Sequence, residues 1–319
     1  MRWPRRRSRG GPSQLRQRPE LQATRLQPVR TTPPSALSIA GSDSSGGAGV
    51  QADIMTFQAL GVIGATAITA VTSQNTLGVQ RVDVLSLPAV AAQIRSVIDD
   101  MGVQAVKTGM LATAEIIDHV ISLAAAGHLP NLVVDPVLTA SDGSALTDHE
   151  AWAGYLDLFK HAAVVTPNAA EAALLVRAAG AYEQDIGEQG VGDALERVAG
   201  RLHELSCGAT VVVTGGDATT ADVCTDIVRD ASGVLRLSAP RVHTRNTHGT
   251  GCAFSAAITA YLATGCDRLE AVRRAKSYVS QAIAGAACWN IGSCEGHGPL
   301  DHLGFTALPA GSPLTAETS

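Results

Sequence analysis

The stretch ALSIAGSDSSGGAGVQADIMTFQAL, residues 36–60, decides the fold class of this chain. Its first five residues, 36–40, are an apolar run that predicts a buried strand, and residues 50–60 carry apolar side chains at helical spacing. Between them, residues 41–49 form a glycine-rich loop, which lets the backbone approach a ligand closely. A strand that passes through such a loop into a helix is the repeating unit of α/β folds.

The same alternation continues along the chain. We predict further strands at 62–71, 103–106, 131–134, 163–166, 210–213, 223–228 and 234–237, the last two forming a hairpin. We predict helices at 88–101, 114–126, 150–159, 171–179, 191–205, 251–263 and 269–287. Most strands are continuous apolar runs, which indicates a parallel sheet covered on both faces. The predicted fold class is therefore α/β, a three-layer α/β/α sandwich with a mostly parallel central sheet.

Composition excludes several classes of protein. The chain has 319 residues and is 45% hydrophobic, enough for a core without disulfides. Its six cysteines are scattered without a Cys-x-x-Cys pair, which favours a reduced, cytoplasmic protein. No stretch of about 18 apolar residues is free of charge, so we expect neither a transmembrane helix nor a membrane partner.

The first 34 residues differ from the rest in charge. They hold nine Arg and one acidic residue, whereas the whole chain has 24 basic and 29 acidic residues. Residues 35–319 therefore carry 15 basic and 28 acidic residues, a net charge of −13. We expect this acidic body to bind no nucleic acid.

Segment 1–34 is rich in Arg, Pro, Gln and Ser, lacks the apolar core of a secretory signal, and is predicted to be disordered. Three interpretations stay open: an organelle transit peptide, an arm that binds polyanions, and, as the favoured one, a non-native extension from an upstream start codon. The chain then divides into this extension, a main domain at 35–300 and an unstructured tail at 301–319.

Residues 245–252, RNTHGTGC, open the Ala-rich helix predicted at 251–263. Such a helix start favours anions, and Gly249 and Gly251 let a phosphate approach the backbone. The positive end of the helix dipole also lowers the pKa of a thiol, so we expect Cys252 to be reactive rather than a core cysteine. His248 is interpreted either as a phosphate donor or as a loop contact.

Other polar residues follow the predicted strands, where ligands bind in open α/β sheets. The amide of Gln74 suits the edge of a heteroaromatic ring, although loop amides are more often turn formers. Asn168 and Glu171 have the spacing of a helix capping box. Alternatively, their oxygens face a magnesium–phosphate cluster.

Two common site types are excluded. Gly41 and Gly46 have the spacing of a P-loop, but Gly47 and Ala48 stand where its Lys and Ser/Thr are required. No His-Glu-x-x-His motif and no Cys/His metal spacing occurs.

Six segments, taken in order, resemble the hydroxymethylpyrimidine/phosphomethylpyrimidine kinases of thiamin biosynthesis, which belong to the ribokinase-like superfamily. They are the opening stretch, ITAVTSQNT (68–76), VKTGML (106–111), VVDPVL (133–138), VTPNAAEA (165–172) and RNTHGTGCAFSAA (245–257). The resemblance spans roughly residues 36–290, nearly all of the chain outside the Arg-rich extension.

The resemblance implies a ribokinase-like kinase domain at 35–300 that uses ATP and Mg²⁺ to phosphorylate 4-amino-5-hydroxymethyl-2-methylpyrimidine and then its monophosphate. It implies that Gln74 contacts the pyrimidine edge and that further substrate contacts come from Gly41, Ala48, Asp53, Met110 and Val137. It implies nucleotide contacts at Thr214, Gly215, Gly216 and Thr250, and metal contacts at Asp135, Asn168 and Glu171. The catalytic base would be Cys252, with Gly249 and Gly251 holding the transferred phosphate.

One position departs from the family pattern. Some members carry a Lys where this chain has Thr214, and that lysine charge near the nucleotide phosphates is absent here. Either Thr214 donates a hydrogen bond instead, or another cation takes the place of the lysine. A pyridoxal kinase and a non-catalytic pyrimidine-binding protein stay open as alternative functions, and a homodimer stays open as a partner.

Overall fold

The structure is a computed structural model that describes residues 32–138, 149–180, 191–215 and 222–304. The strands are β1 (Ser35–Asp43), β2 (Ile63–Asn75), β3 (Gly78–Val84), β4 (Ala105–Thr108), β5 (Val133–Val134), β6 (Val164–Val165), β7 (Thr210–Val213), β8 (Val223–Asp230) and β9 (Gly233–Pro240). The helices are α1 (Gly49–Ala59), α2 (Leu87–Ile98), α3 (Ala114–Ala125), α4 (His149–Phe159), α5 (Ala169–Ala178), α6 (Val191–Leu205), α7 (Thr250–Ala263) and α8 (Arg268–Ala286). Most of the predicted extension and the tail from residue 305 lie outside these ranges.

The strands of the described residues form one sheet in the order β3-β2-β1-β4-β5-β6-β7-β8-β9. Six neighbouring strands, β2, β1, β4, β5, β6 and β7, are parallel. Strand β3 at one edge and the β8–β9 hairpin at the other edge join the sheet antiparallel. The predicted mostly parallel sheet is therefore confirmed. Strand order reverses between β1 and β4, so their carboxyl ends open a crevice of the kind that holds ligands.

Helices cover both faces of the sheet. One core contains side chains of α2 to α6, for example Ile94, Ile117 and Leu175, packed under the sheet. The other core contains side chains of α1, α7 and α8, for example Phe57 and Val272. Because each face of the sheet has its own helical layer, the predicted three-layer sandwich is confirmed.

Helix α7 is the most enclosed helix on its face of the sheet. Ten of its residues are buried, from Ala253 to Ala263, and it packs against α1, α8, β1, β4 and β5. Its small Ala side chains let it lie close to the sheet, which brings its N-terminus to the strand ends. No helix in the part of the chain that the structure describes is long and apolar enough to cross a membrane.

Strand β3 was not predicted from the sequence. It pairs antiparallel with β2, whose residues continue to Asn75, beyond the predicted end. Most side chains of β3 are exposed, including Val82 and Val84, so no buried apolar run marks this strand. Its position is set by backbone pairing to an existing strand edge.

A buried ion pair ties α1 to the sheet. Lys107 of β4 donates through Nζ to both carboxylate oxygens of Asp53, at 2.8 and 2.9 Å, and neither side chain is exposed. Burial alone would lower the pKa of Lys107, but the Asp53 carboxylate outweighs burial and raises it. Ser38 of β1 donates to the same carboxylate at 2.5 Å, so the pair links three elements.

Replacing Lys107 by Met should lower the free energy of unfolding by about 3–5 kcal/mol, because the Asp53 carboxylate is left buried without its cation. Urea denaturation followed by circular dichroism measures the change. The double variant Lys107→Met/Asp53→Leu should regain part of the loss, and failure to regain any would contradict this account. Arg81→Met, which breaks the exposed pair with Asp83, should change little.

Candidate active site

The predicted site residues come together at the carboxyl ends of the parallel strands. Asp135 follows β5, Asn168 follows β6, and Thr214 follows β7. Val134 pairs with Val165, and Asn168 bridges to Thr214. Asp135, Asn168 and Thr214 therefore stand side by side along the sheet edge. The glycine-rich loop after β1 and the start of α7 lie at the same edge, because Gly249 packs against the backbone of Gly47.

The two glycine turns pack directly against each other. Gly249 is the N-cap of α7 with φ of 80°, and a Cβ placed on it would overlap the carbonyl oxygen of Gly47. Gly49 has φ of 60° and no room for a Cβ beside the Gly41 carbonyl. By contrast, Gly251 is exposed and a Cβ there would meet open space, so protein packing does not require glycine at that position.

Cys252 lies in the first turn of α7, as predicted, but its predicted thiolate character is wrong for the ligand-free protein. The residue is partly exposed, yet the atoms around its sulfur raise the pKa of the thiol to about 12 by burial. The charge of Lys107 and the backbone N–H of Gly49 oppose this rise, while Asp53 and Asp135 add to it. Desolvation therefore outweighs the helix-terminus field that the sequence argument relied on.

Asp53 is corrected from a substrate contact to an internal anchor. Its side chain has no exposed surface, and its carboxylate is occupied by Lys107 and Ser38. The carboxylate therefore acts on the site through the charge it holds in place, the ammonium group of Lys107. Sequence reasoning missed Lys107, although a lysine inside an apolar strand run is itself a signal.

Asp135 lies beside this pair. Its oxygens accept from Ser255 of α7 at 2.9 Å and from Thr166 at 3.3 Å, and the residue is only 5% exposed. Burial raises the pKa of Asp135, against the opposing charge of Lys107. Lys107 therefore interacts with both Asp135 and Cys252, which makes it the central positive charge beneath the start of α7.

Asn168 and Glu171 form the capping box that their spacing predicts. Asn168 Oδ1 accepts from the Glu171 N–H at 2.9 Å, and Glu171 Oε2 accepts from the Asn168 N–H at 3.0 Å. Glu171 Oε1 also accepts from the Leu138 N–H at 3.2 Å. Within the described ranges, no three His, Cys, Asp or Glu side chains are grouped so as to hold a metal by themselves.

A polar chain runs from Gln74 through His248 to Asp43. Gln74 and His248 lie 3.3 Å apart, and His248 Nε2 lies 2.8 Å from Asp43 Oδ2. His248 is 5% exposed and its main-chain N–H donates to Gly298 at 3.0 Å, so the loop-contact interpretation is the one that fits. Sequence reasoning missed Asp43, because its partner His248 is distant in the chain.

The remaining predicted substrate contacts surround the same crevice. A Cβ on Gly41 would stand 2.6 Å from the Met110 methyl carbon, so Gly41 and Met110 are in contact. The Ala48 N–H donates to Asp43 at 2.8 Å, and Val137 is half-buried just after Asp135. The structure thus brings Gly41, Ala48, Met110 and Gln74 to one loop cluster.

The predicted nucleotide side is only partly described. Gly216 lies outside the described residues, and the Thr250 hydroxyl donates within its own turn to the Thr247 carbonyl at 2.7 Å. The Gly215 N–H donates to Asp226 at 3.1 Å, and Asp226 also pairs with Lys276 of α8 at 2.7 Å. Lys276 is therefore linked to Gly215 through the carboxylate of Asp226.

A cavity of about 620 Å³ lies beside α1 and is lined by residues such as Ile54, Met55 and Trp289. Of the predicted loop it includes Ser45 and Gly46, but none of the predicted substrate residues. The polar groups and glycine turns lie beyond the carboxyl ends of the parallel strands and therefore mark the candidate active site.

This fold and site define a class. A three-layer α/β/α sandwich with glycine turns and a helix N-terminus beyond its strand ends is a ribokinase-like α/β protein. The chain belongs to the phosphomethylpyrimidine kinase family, whose model matches residues 43–301. The resemblance found in the sequence is thereby confirmed.

Known relatives cover nearly the whole described chain. The hydroxymethylpyrimidine/phosphomethylpyrimidine kinase of Rhizobium meliloti is 45% identical over 270 residues, 84% of this chain and 96% of the relative. The phosphomethylpyrimidine kinase of Clostridium difficile has a TM-score of 0.65 and 35% identity, covering 78% of this chain and 99% of its own. The pyridoxal kinase of Staphylococcus aureus, solved with AMP-PCP and pyridoxal, has a TM-score of 0.72 and 33% identity, covering 85% and 94%.

The raised pKa of Cys252 predicts slow alkylation. At pH 8 the exposed Cys207 should react with iodoacetamide much faster than Cys252, because a thiol with a pKa of about 12 is almost entirely protonated there. The rate at Cys252 should rise with pH over the whole range in which the protein stays folded. Peptide mapping by mass spectrometry measures both rates, and equal labelling at pH 8 would contradict the raised pKa.

Proposed function

We propose that this chain phosphorylates 4-amino-5-hydroxymethyl-2-methylpyrimidine with ATP, and then phosphorylates the product to the diphosphate, for thiamin biosynthesis. One observation carries the proposal. The amide of Gln74 lies 3.3 Å from His248, and Cys252 lies in the first turn of α7, which begins two residues after His248. A group suited to a pyrimidine edge and a group suited to proton transfer therefore face one crevice. The family match over 43–301 supports a kinase domain at 35–300.

The start of α7 is the proposed site of the transferred phosphate. The first N–H groups of a helix have no intrahelical acceptor and favour an anion. Gly251 is exposed and leaves space where any other residue would place a Cβ, so a phosphate oxygen can approach the N–H groups of Gly251 and Cys252. The Staphylococcus aureus relative binds the ATP analogue AMP-PCP, which supports ATP as the phosphate donor. Thr214, Gly215, Gly216 and Thr250 stay the proposed nucleotide contacts.

Magnesium is the proposed metal, and the donor set fits it. Asp135, Asn168 and Glu171 offer two carboxylates and an amide oxygen at neighbouring strand ends, already engaged with hydroxyl and backbone donors. Magnesium keeps several waters and takes one or two carboxylates, so these residues would hold it mainly through water. The ion would neutralise charge on the phosphates of ATP.

Cys252 is the proposed base for the first phosphorylation. The hydroxymethyl group must lose a proton as its oxygen attacks the γ-phosphorus, and the Cys252 sulfur would accept that proton. In the second phosphorylation the attacking phosphate oxygen is already ionised and has little need of a base. Because burial holds the thiol protonated at neutral pH, only a small fraction of the free enzyme has the sulfur in its basic form.

Pyridoxal kinase is the alternative that a specific observation favours. The relative with bound pyridoxal has a higher TM-score than the Clostridium difficile kinase, 0.72 against 0.65. Both substrates are hydroxymethyl heteroaromatics, so the same base and phosphate site would serve either. The Gln74 amide, which offers both a donor and an acceptor to a ring edge, supports the pyrimidine as the preferred ring.

The direct test is ATP consumption by the purified chain with the hydroxymethylpyrimidine, its monophosphate or pyridoxal. We expect turnover with both pyrimidines, a higher kcat/KM for the hydroxymethylpyrimidine than for pyridoxal, and loss of turnover when EDTA removes magnesium. A clear preference for pyridoxal would favour the alternative kinase. Binding of the pyrimidine without turnover would favour a non-catalytic pyrimidine-binding protein.

Replacing Cys252 by Ala separates the two steps. The first phosphorylation should slow by about 10²–10⁴-fold, the usual contribution of a general base, and the second should slow much less. In the wild type, kcat/KM for the first step should rise by about tenfold per pH unit from pH 7 to 9, since the thiol pKa is about 12. That rise should vanish in Cys252→Ala.

Cys266→Ala is the matched control, because Cys266 is a partly buried thiol of the same fold that lies outside the site. It should leave both steps and their pH profiles as in the wild type. Equal losses in both steps of Cys252→Ala, measured with the two substrates separately, would contradict the role of Cys252 as base.

A further inference from the structure

The strand end that carries Thr214 is held from the side of β6 by its backbone. The Thr214 N–H donates to the Pro167 carbonyl oxygen at 3.0 Å, and Thr214 bridges to Asn168. On the other side β7 pairs with β8, and in the described part of the chain this pairing ends at Val213 and Ile227. The position of Thr214 therefore also depends on the contacts that the chain makes with β8 just after Val213.

A side chain replaces the strand pairing at Gly215. The Gly215 N–H donates at 3.1 Å to Oδ1 of Asp226, a residue of β8 that is only 3% exposed. A Cβ on Gly215 would overlap the carbonyl oxygen of Thr225, so the backbone at this position lies directly against β8. A hydrogen bond from an N–H to a carboxylate is charge-assisted and stronger than one between neutral groups. Asp226 therefore fixes the peptide group between Thr214 and Gly215.

Lys276 of α8 holds the Asp226 carboxylate in place. Its Nζ lies 2.7 Å from Asp226 Oδ2, and the side chains of Lys276 and Asp226 are 17% and 5% exposed. One carboxylate oxygen thus accepts from the ammonium group, and the other accepts from the Gly215 N–H. The ammonium group offsets the cost of placing a buried charge behind the strand end.

The ion pair lies on the face of the sheet that α7 and α8 cover. Val212 and Val228 pair with each other, and both belong to the core under these two helices. Thr214 and Asp226 are each two residues away from this valine pair, so they share its face of the sheet. Helices α7 and α8 pack against each other. The pair therefore joins the strand end of Thr214 to the helical layer in which α7 provides the proposed phosphate site.

We propose that Asp226 is a positioning residue for ATP binding, with Lys276 as its counter-ion. Together they hold the peptide group between Thr214 and Gly215 in the geometry that the nucleotide requires. The inference rests on the proposed function, because Thr214 and Gly215 are proposed nucleotide contacts.

The uncharged side chain of Thr214 makes its position important. Its contact to ATP is a hydrogen bond, whose strength depends steeply on distance and angle. Gln74, the proposed pyrimidine contact, lies on β2, and four strands separate β2 from β7. Displacement of the strand end at Thr214 should therefore weaken ATP binding and leave pyrimidine binding unchanged.

Two double variants that differ by one hydrogen-bond acceptor test the inference. Asp226→Leu/Lys276→Met removes the ion pair without leaving a charge buried alone, and it also removes the acceptor for the Gly215 N–H. Asp226→Asn/Lys276→Met carries no charge either, but its amide oxygen can still accept that hydrogen bond. Asn and Leu have similar shapes, so the comparison isolates the hydrogen bond to Gly215.

We expect Asp226→Leu/Lys276→Met to raise KM for ATP by about tenfold, the usual effect of losing one hydrogen bond. Asp226→Asn/Lys276→Met should stay within about threefold of the wild type. In both variants KM for the hydroxymethylpyrimidine should stay at its wild-type value. Initial rates with one substrate varied and the other saturating measure these constants, and calorimetric dissociation constants for magnesium–AMP-PCP should show the same tenfold difference.

Lys276→Met alone tests the role of the counter-ion. This variant leaves the Asp226 carboxylate buried without its cation, so it should unfold at a lower urea concentration than Asp226→Asn/Lys276→Met. Urea denaturation followed by circular dichroism measures both midpoints. An equal or higher midpoint for the single variant would contradict the assignment of Lys276 as counter-ion.

Arg236→Met is the matched control on the same hairpin. Arg236 of β9 pairs with Glu196 of α6 at 2.6 Å, so this variant breaks an ion pair of the β8–β9 hairpin that does not involve Gly215. It should keep the wild-type KM for ATP and the wild-type dissociation constant for AMP-PCP.

Equal affinity of the two double variants for AMP-PCP would overturn the inference and leave the ion pair a structural role. A parallel rise of both KM values would also overturn it, because such a rise indicates a general loosening of the site. A tenfold difference in AMP-PCP affinity without turnover of the pyrimidine would refute the proposed substrate and support the inference. Absence of AMP-PCP binding to the wild type would overturn both proposals.

Discussion

The site depends on the contact between two backbone segments, the glycine-rich loop after β1 and the turn before α7. The Gly47 carbonyl oxygen occupies the space where a Cβ at position 249 would stand. This contact joins parts of the chain that are about two hundred residues apart in sequence, and it sets His248 against Asp43 and Cys252 near Gly49. Because backbone meets backbone, no side-chain rotation can compensate for an added Cβ at Gly249. The glycines therefore shape the protein itself before any ligand arrives.

Beneath this contact lies a group of desolvated charges. Lys107 forms an ion pair with Asp53 and also interacts electrostatically with Asp135 and Cys252. Loss of any member of this group strongly destabilises the protein, because the remaining charge stays buried. The same burial explains the high pKa of the Cys252 thiol. Burial keeps Cys252 protonated, and a thiol with a high pKa is a strong base once ionised. Stability and reactivity at this site thus arise from the same desolvation.

Most of the fold could be predicted, because continuous apolar runs mark buried strands and helical spacing marks the covering layers. The exposed strand β3 could not, since its position comes from pairing with β2 rather than from its own side chains. The capping box of Asn168 and Glu171 was predictable because it is local. The role of Asp53 was not, because it depends on Lys107, which reaches Asp53 only in the folded sheet. The protonation of Cys252 was not, because it depends on how deeply the fold buries the sulfur.

The sequence by itself determined the fold class, the family and the order of the glycine turns, since these rest on local periodicity and on motifs along the chain. Only the tertiary structure decided which polar groups meet. Asp43, Gln74 and His248 come from three separate segments and come into contact only in the folded chain. Likewise, the direction of the Cys252 pKa follows from how many atoms surround its sulfur. Contacts and desolvation are properties of packing in three dimensions, which sequence spacing does not specify.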